Sequence, residues 1–266
     1  MKYYNVKVKP DVINGDVSTV IGTAGQDADF SSGDLVFDWT PFYIPKGSSK
    51  LENVTLYMTG EDGSGSVATD IYLFFARDVD GVAPLSAGTV NAGGITSCFN
   101  LATNFLSGMK LDGSTVGKGK MKGPAHGGMY VGSTTNNEGM IAYPILEGEE
   151  DSSKPGYSRV YVCGVIDPGS DDLGFKTNVL SNAGVSISTA ATTTTGIVVK
   201  TTDARRAFQK GDTIYIMDSD TAVGVVKSVP DATHIVLESA NAVAIAADDE
   251  IVNANPIRIS LGLSQG

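Results

Sequence analysis

The sequence has few of the side chains on which catalysis and metal binding usually depend. Its 266 residues include two histidines, two cysteines and one tryptophan, and 18% of them are charged. Two cysteines far apart in the sequence cannot supply a disulfide framework or the four closely paired ligands of a structural zinc site. We therefore expect Cys98 and Cys163 to be small core residues, because free cysteine is usually buried.

Positive charge is also scarce, and this excludes several kinds of partner. The 19 lysines and arginines stand against 30 aspartates and glutamates, which gives a formal net charge of −11. DNA and anionic membranes are bound through basic faces, so we expect neither nucleic acid nor a membrane as a partner. No apolar run reaches the roughly 18 residues of a membrane span, and lysines interrupt the first ten residues, where a signal peptide would be apolar. We expect synthesis in the cytoplasm.

The sequence motifs of the common enzyme and metal sites are either missing or present with the wrong spacing between their key residues. His234 opens a predicted strand and His126 lies in a glycine-rich loop, and we expect neither to be catalytic. Residues 113–118 resemble a phosphate-binding loop, but three residues separate the glycines instead of four, and Gly119 replaces the magnesium-binding hydroxyl. The acidic turn at 78–81 lacks the ligand positions of an EF-hand. We predict no enzyme activity, no cofactor and no metal.

Alternation of apolar and polar residues is what the sequence has in abundance. Residues 51–58 and 257–261 alternate in this way, which is typical of strands with one buried face. Residues 71–76 and 160–166 are apolar on both faces, as in central strands. We expect an all-β fold, with an N-terminal antiparallel β-sandwich of jelly-roll type followed by a small C-terminal β-barrel.

One segment, residues 96–108, has a helical pattern instead. Its apolar residues, such as Leu101 and Phe105, fall on one helical stripe, and Gly108 is a typical stop signal. This pattern predicts a short helix that covers one end of a sheet. A strand, a loop and a second strand are the alternative, because threonine and asparagine are poor helix formers.

A change of composition predicts the domain boundary. Residues 186–196 form a Ser/Thr/Ala tract without a buried face, and the strands predicted after it are short and regular. A closed barrel suits such strands, because closure removes exposed sheet edges. We predict a β-sandwich domain at 1–185, a linker at 186–196 and a barrel domain at 197–266.

Two short segments resemble each other across the predicted boundary. Residues 30–37 and 208–215 share Phe-x-x-Gly-Asp, followed two residues later by an apolar residue and then an aromatic one. We predict that each is a turn that begins a strand. A single similarity of this length does not establish an internal repeat.

Two loops of opposite charge, the basic loop at 117–123 and the acidic loop at 147–151, are candidates for assembly contacts, together with the N-terminal strand at 3–8. Two solvated loops are one interpretation. The functional interpretation is docking between copies or onto a partner, because complementary charges set register and specificity. The residues that we assign to contacts are Tyr3, Tyr4, Lys118, Lys120, Lys122, Glu147, Glu149, Glu150 and Asp151.

Several runs in both halves of the chain carry a resemblance to a known family. They are residues 38–47, 50–51 and 70–76 in the first half, and 199–205, 208–212, 224–229 and 235–241 in the second. These runs resemble structural proteins of tailed phages that infect marine bacteria and cyanobacteria. The resemblance implies a virion component present in many copies, a capsid decoration (cement) protein that contacts the major capsid protein or other virion proteins and forms a trimer. The shared patterns are turns and strands, so they imply no active site.

Two other functional classes stay open. A tail or fibre component that binds host surface glycans would need clustered exposed aromatics and a trimeric stalk, and no coiled-coil heptad is visible. An enzyme such as a depolymerase would need two carboxylates brought together in space. The location of the protein in assembled particles distinguishes decoration from fibre.

Reversing the charge of the basic loop tests the docking interpretation. In the triple variant Lys118→Glu, Lys120→Glu, Lys122→Glu we expect weaker assembly, because attraction toward an acidic surface becomes repulsion. Sedimentation or a co-assembly assay measures the change. Unchanged assembly would contradict the interpretation.

Overall fold

The computed structural model describes residues 1–13, 30–59, 69–95, 101–111, 120–122, 127–133, 144–168, 185–191, 193–200, 203–216 and 221–266. In these residues the fold is all-β, as predicted, with one four-residue helix and one short 3₁₀ turn at Ala204–Arg206. All strand pairs are antiparallel, and they form three sheets.

The elements follow one another as β1 (Lys2–Val8), β2 (Leu35–Pro45), β3 (Ser49–Thr59), β4 (Ile71–Arg77), α1 (Leu101–Asn104), β5 (Phe105–Leu111), β6 (Lys120–Lys122), β7 (Gly127–Ser133), β8 (Ile145–Leu146), β9 (Tyr157–Ile166), β10 (Ser186–Ile187), β11 (Gly196–Lys200), β12 (Thr213–Ile216), β13 (Thr221–Ser228), β14 (His234–Leu237), β15 (Ile251–Asn253) and β16 (Ile257–Gln265).

The first sheet joins the two ends of the described chain. Its strand order is β1-β16-β3-β7-β6, and β8 also pairs with β3. In β16, Ile259 lies opposite both Val8 and Leu56, and all three side chains are buried. The predicted assignment of β16 to the C-terminal barrel is therefore wrong. Its alternating apolar face packs into the core of the first sheet instead.

The second sheet has the order β2-β9-β4-β5. Its two central strands, β9 and β4, are the segments that the sequence predicts as central because they are apolar on both faces, so this prediction is confirmed. The ring of Phe37 packs directly on Gly164, where an added Cβ would lie 2.3 Å from a ring carbon. The first and second sheets contribute to one shared hydrophobic cluster, with Leu56 from one and Phe75 from the other.

The third sheet has the order β10-β11-β14-β13-β12-β15. It has its own hydrophobic cluster, in which Phe208 and Leu237 are almost fully buried. Strand β10 lies within the segment predicted as a linker, and its Ile187 is completely buried. That segment therefore has a buried side chain, unlike the expectation, while the division at 185 and 197 stays a prediction.

The helix predicted for residues 96–108 is wrong over most of its described length. Helix α1 covers only Leu101–Asn104, and β5 begins at Phe105. Strand β5 pairs with β4, so the backbone of this segment is bonded within a sheet. This pairing outweighs the helical stripe in the sequence, and residues 96–100 lie outside the described part. Cys163 is buried, as predicted, whereas Cys98 is not among the described residues.

The similarity between residues 30–37 and 208–215 is a shared turn, as predicted. The backbone N–H of Ser31 donates to Asp34 Oδ2 at 2.7 Å, and that of Gln209 donates to Asp212 Oδ2 at 2.8 Å. The glycine before each aspartate has a positive φ, 88° and 83°, which glycine adopts without strain. The turns begin β2 and β12.

A third turn of the same kind lies before β15, although its sequence lacks the Phe-x-x-Gly-Asp pattern of the other two. The backbone N–H of Ala246 donates to Asp249 Oδ2 at 2.7 Å. Asp248 takes the glycine position with a φ of 72°. Aspartate tolerates this conformation better than most residues, so the turn forms without the glycine that marks the other two.

Asp212 is fully buried and joins the first and third sheets. Its carboxylate accepts hydrogen bonds from Arg258 of β16 and, at 2.8 Å, from Asn253 Nδ2. Lys9, just after β1, lies 3.3 Å away. A buried carboxylate is costly unless cations and N–H donors surround it, and here both do.

Neutralising Asp212 should destabilise the protein strongly. In Asp212→Asn the cation of Arg258, whose side chain is 16% exposed, loses its partner. We expect a loss of about 3–5 kcal/mol in the free energy of unfolding, measured by urea denaturation.

The matched control is Asp248→Asn, which removes an ion pair with Lys200 in which both side chains are largely exposed. That variant should lose at most about 1 kcal/mol. Equal losses in the two variants would show that the buried network has no special role.

Candidate assembly surface

The residues predicted for assembly contacts differ in how far the structure describes them. Lys118 lies outside the described residues. Lys120 and Lys122 are in β6, whose backbone pairs with β7, but their side chains are outside the description. His126 also lies outside. The basic loop as a contact surface therefore stays a prediction, and the described candidates are on β1 and at residues 147–151.

Strand β1 is an edge strand of the first sheet. It pairs with β16 on one side, and no described strand pairs with its other side. The Tyr3 side chain is 73% exposed, while Tyr4 is half-buried and its hydroxyl is hydrogen-bonded to Ser49 Oγ. Lys2 and Lys7 are exposed on this strand, and such charges protect an open edge from non-specific pairing.

The acidic loop at 147–151 is fixed to the turn between β2 and β3. Ser48 Oγ donates to Glu147 at 2.8 Å, and Lys46 Nζ lies 2.6 Å from Glu150. The pKa of Glu150 is lowered, first by this lysine and then by the backbone N–H of Gly156. The carboxylates are therefore held in defined positions, although the glutamates are exposed.

Glu149 is held by a second turn. Its two oxygens accept hydrogen bonds at 2.8 Å from the backbone N–H groups of Asp80 and Gly81. Both of these residues have positive φ, 53° and 73°, as is typical of a tight turn. The N–H groups of Gly81 and Asp80 lower the pKa of Glu149, because they stabilise its charged form.

Asp151, the last residue of the acidic loop, is hydrogen-bonded to the turn that follows it. The hydroxyl and the backbone N–H of Ser153 donate to it at 2.6 and 2.8 Å, and these bonds lower its pKa. Tyr43 also donates to this carboxylate, at 3.1 Å. In the same turn Lys154 lies over the rings of Tyr43 and Tyr157, 4.1 and 4.8 Å from their centres.

The acidic loop and the start of β1 meet at one place. Tyr4 is bonded to Ser49, and Gln265, which lies opposite Lys2, donates to the backbone oxygen of Lys46 at 2.8 Å. We call this surface the β2–β3 corner, meaning residues 46–49, residues 147–151 and Tyr3 with Tyr4. The structure thus brings two of the predicted contact segments together through a shared turn.

Histidine and acidic residues elsewhere have structural explanations. His234 is exposed at the start of β14, as predicted, with Nδ1 2.9 Å from Asp231 Oδ1. The pKa of Asp231 is lowered to about 2, chiefly by the backbone N–H of Thr233 and then by the His234 side chain. Asp231 thus stabilises the turn before the strand. No group of three or more His, Cys, Asp or Glu within the described residues is arranged to hold a metal.

Asp78 is an important residue whose role the sequence does not reveal. It is buried, and it accepts hydrogen bonds from Tyr161 Oη at 2.6 Å and Arg159 Nε at 2.8 Å. Burial first, and then the bond to Asp78, raises the pKa of Tyr161. Arg159 lies 81 residues from Asp78 in the sequence, so only the pairing of the strands brings them together.

Comparisons with known proteins add no family assignment. No protein-family model matches the chain, and the search of curated proteins finds no match. In the described part of the chain, no helix is long and apolar enough to cross a membrane.

The bonds to Glu149 predict a pH dependence of stability. Because its pKa is lower in the folded chain than its ordinary value of 4.5, it stabilises the fold above that value, and this contribution disappears as the pH falls through the folded pKa. Glu149→Gln should therefore unfold at lower urea than the wild type at pH 7, and the difference should shrink on acidification.

Glu238→Gln is the control, because Glu238 is exposed and its side chain has no hydrogen bond with the described residues. If Glu149→Gln and Glu238→Gln have the same urea midpoint from pH 7 to pH 3, the bonds of Glu149 contribute nothing.

Proposed function

We propose that this chain is a structural protein of a phage virion, a capsid decoration protein that stabilises the shell through protein–protein contacts. The proposal starts from the resemblance of sequence runs in both halves of the chain to phage structural proteins. The β2–β3 corner supports it, because this surface presents ordered acidic side chains beside a strand edge with which no described strand pairs. A second contact surface, the basic loop at 117–123, remains part of the proposal.

The order of the acidic side chains is the observation on which the proposal chiefly rests. Glu147, Glu149 and Glu150 are exposed, yet each accepts a hydrogen bond from a neighbouring turn. Fixing a long side chain on binding costs about 0.5–1.5 kcal/mol, and that cost is lower when the side chain is already fixed. Such a surface is suited to a basic partner, in which complementary charges set the register.

We further propose the finer architecture: a β-sandwich of jelly-roll type in the first part of the chain and a small closed barrel in the second. The hydrophobic cluster shared by the first and second sheets supports the sandwich. Backbone bonds from Ile187 N–H to Asp249 at 2.8 Å and from Ile251 N–H to Val185 at 2.9 Å support the barrel, because they join the two ends of the third sheet. Closure would remove edges that invite unwanted pairing.

The proposed partners are the major capsid protein and two further copies of this chain in a trimer. Many simultaneous contacts on a shell multiply the affinity of each one, so a modest corner contact suffices at each position.

Imaging of purified particles tests the location. We expect antibody label or reconstructed density for the chain at regular positions on the shell, with the protein detected by mass spectrometry of the same particles. Density only on the tail would overturn decoration in favour of a fibre component. Absence from purified particles would overturn both.

Charge reversal at the corner tests the contact itself. Glu147→Lys should bind at least roughly tenfold more weakly to particles that lack the protein, because attraction toward a basic partner becomes repulsion. Glu238→Lys makes the same change at the exposed residue just after β14 and should bind as the wild type does. Equal binding by the two variants would exclude the corner as the contact surface.

A further inference from the structure

A small groove lies on the outer face of the first sheet, beside the β2–β3 corner. Its volume is about 170 Å³, and its walls include Tyr3, Asn5, Glu52, Asn53 and Gly262. A pocket for a drug-sized ligand has roughly 300–1,000 Å³, so this groove accommodates a smaller group, of the size of one sugar ring.

A glycine of the middle strand lies at the base of the groove. Gly262 of β16 lies directly between Asn5 of β1 and Asn53 of β3 in the pairing register. A Cβ at Gly262 would lie 2.6 Å from the amide atoms of Asn53, so the Asn53 amide lies over the glycine. The pairing of β16 with β3 also shifts just after Gly262, and Glu52 lines the groove near this shift. Gly262 and the amide above it therefore form the base of the groove.

Two amides line the groove. Asn5 and Asn53 are exposed, and neither side chain has a hydrogen bond with the described residues. Each amide offers N–H donors and an acceptor oxygen. Neighbouring hydroxyls of a sugar are donors and acceptors at the same time, so an amide can bond such a pair.

Glu52 and Tyr3 complete the lining. Glu52 accepts a hydrogen bond from Ser264 Oγ at 2.6 Å and lies 3.3 Å from Lys50. It remains an anion, since the Ser264 bond lowers its pKa. Tyr3 is 73% exposed, and its hydroxyl donates to Met1 Sδ at 2.9 Å. The aromatic ring offers an apolar surface to a sugar ring, and the neighbouring amides and carboxylate can accept hydrogen bonds from its hydroxyl groups.

The chemistry of the lining selects one class of ligand. An anionic ligand would approach the carboxylate of Glu52 unfavourably, and a purely apolar one would cover the two amides without bonding them. We propose that this groove binds one sugar ring of a neutral polysaccharide. A single ring gives weak binding, which many copies on one particle would strengthen.

Saturation-transfer NMR with the full chain tests the groove. The probes are maltotriose, chitotriose and free N-acetylneuraminic acid, which represent a neutral hexose, a neutral N-acetylated sugar and an anionic sugar. We expect signal from at least one neutral probe and none from N-acetylneuraminic acid. A wild-type chain that gives signal with no neutral probe, or a stronger signal with N-acetylneuraminic acid, would overturn the proposal.

Variants locate the signal. Asn5→Ala with Asn53→Ala should weaken binding of the neutral probe roughly tenfold or more, because both hydrogen-bonding amides of the groove are lost. Gly262→Ala should weaken it independently by displacing Asn53 into the groove. Circular dichroism checks folding, and Gln209→Ala, which removes an exposed amide in the turn before β12, is the control.

Binding retained in the double variant, or lost equally in Gln209→Ala, would place the sugar elsewhere and overturn the proposal. These outcomes are independent of where the protein sits in a particle. A chain on the shell without sugar binding leaves the decoration function intact, and sugar binding by a chain absent from particles leaves the groove intact.

Discussion

The fold depends most on the burial of one carboxylate. Asp212 directly precedes β12 of the third sheet, yet its partners Lys9 and Arg258 belong to segments of the first. A buried anion has a low free energy only while cations and N–H donors are arranged around it, so the two sheets cannot separate without exposing or orphaning a charge. The corner and the groove lie on the first sheet, and the position of its β16 is fixed in part by Arg258.

Much of the fold could be predicted because the dominant signals are local. Alternation at Val54 and Leu56 predicts a strand with one buried face, and the doubly apolar segments predict the centre of the second sheet correctly. The Phe-x-x-Gly-Asp similarity predicts two turns that the structure contains. Turn chemistry depends on neighbouring residues alone, so the sequence is sufficient for it.

What the sequence could not predict depends on distant parts of the chain. Strand β16 would have the same alternating pattern in either sheet. Its packing against Val8 and Leu56 determines that it joins the first sheet. The segment from Phe105 has a helical stripe, but pairing with β4 determines its structure. In the candidate site, the charges of the acidic loop are visible in the sequence, whereas its bonds to the turn at 80–81 and the groove around Gly262 arise only when strands align.

The placement of β16 between β1 and β3 also bears on how the chain folds. Strand β3 is synthesised about 200 residues before its partner β16, so its edge and that of β1 stay open until the last strand is available. Contacts of such long sequence separation make folding slow. The lysines on β1 and the polar outer face of β3 therefore matter before the native state forms, because they hinder the unpaired sheet edges from pairing with other chains.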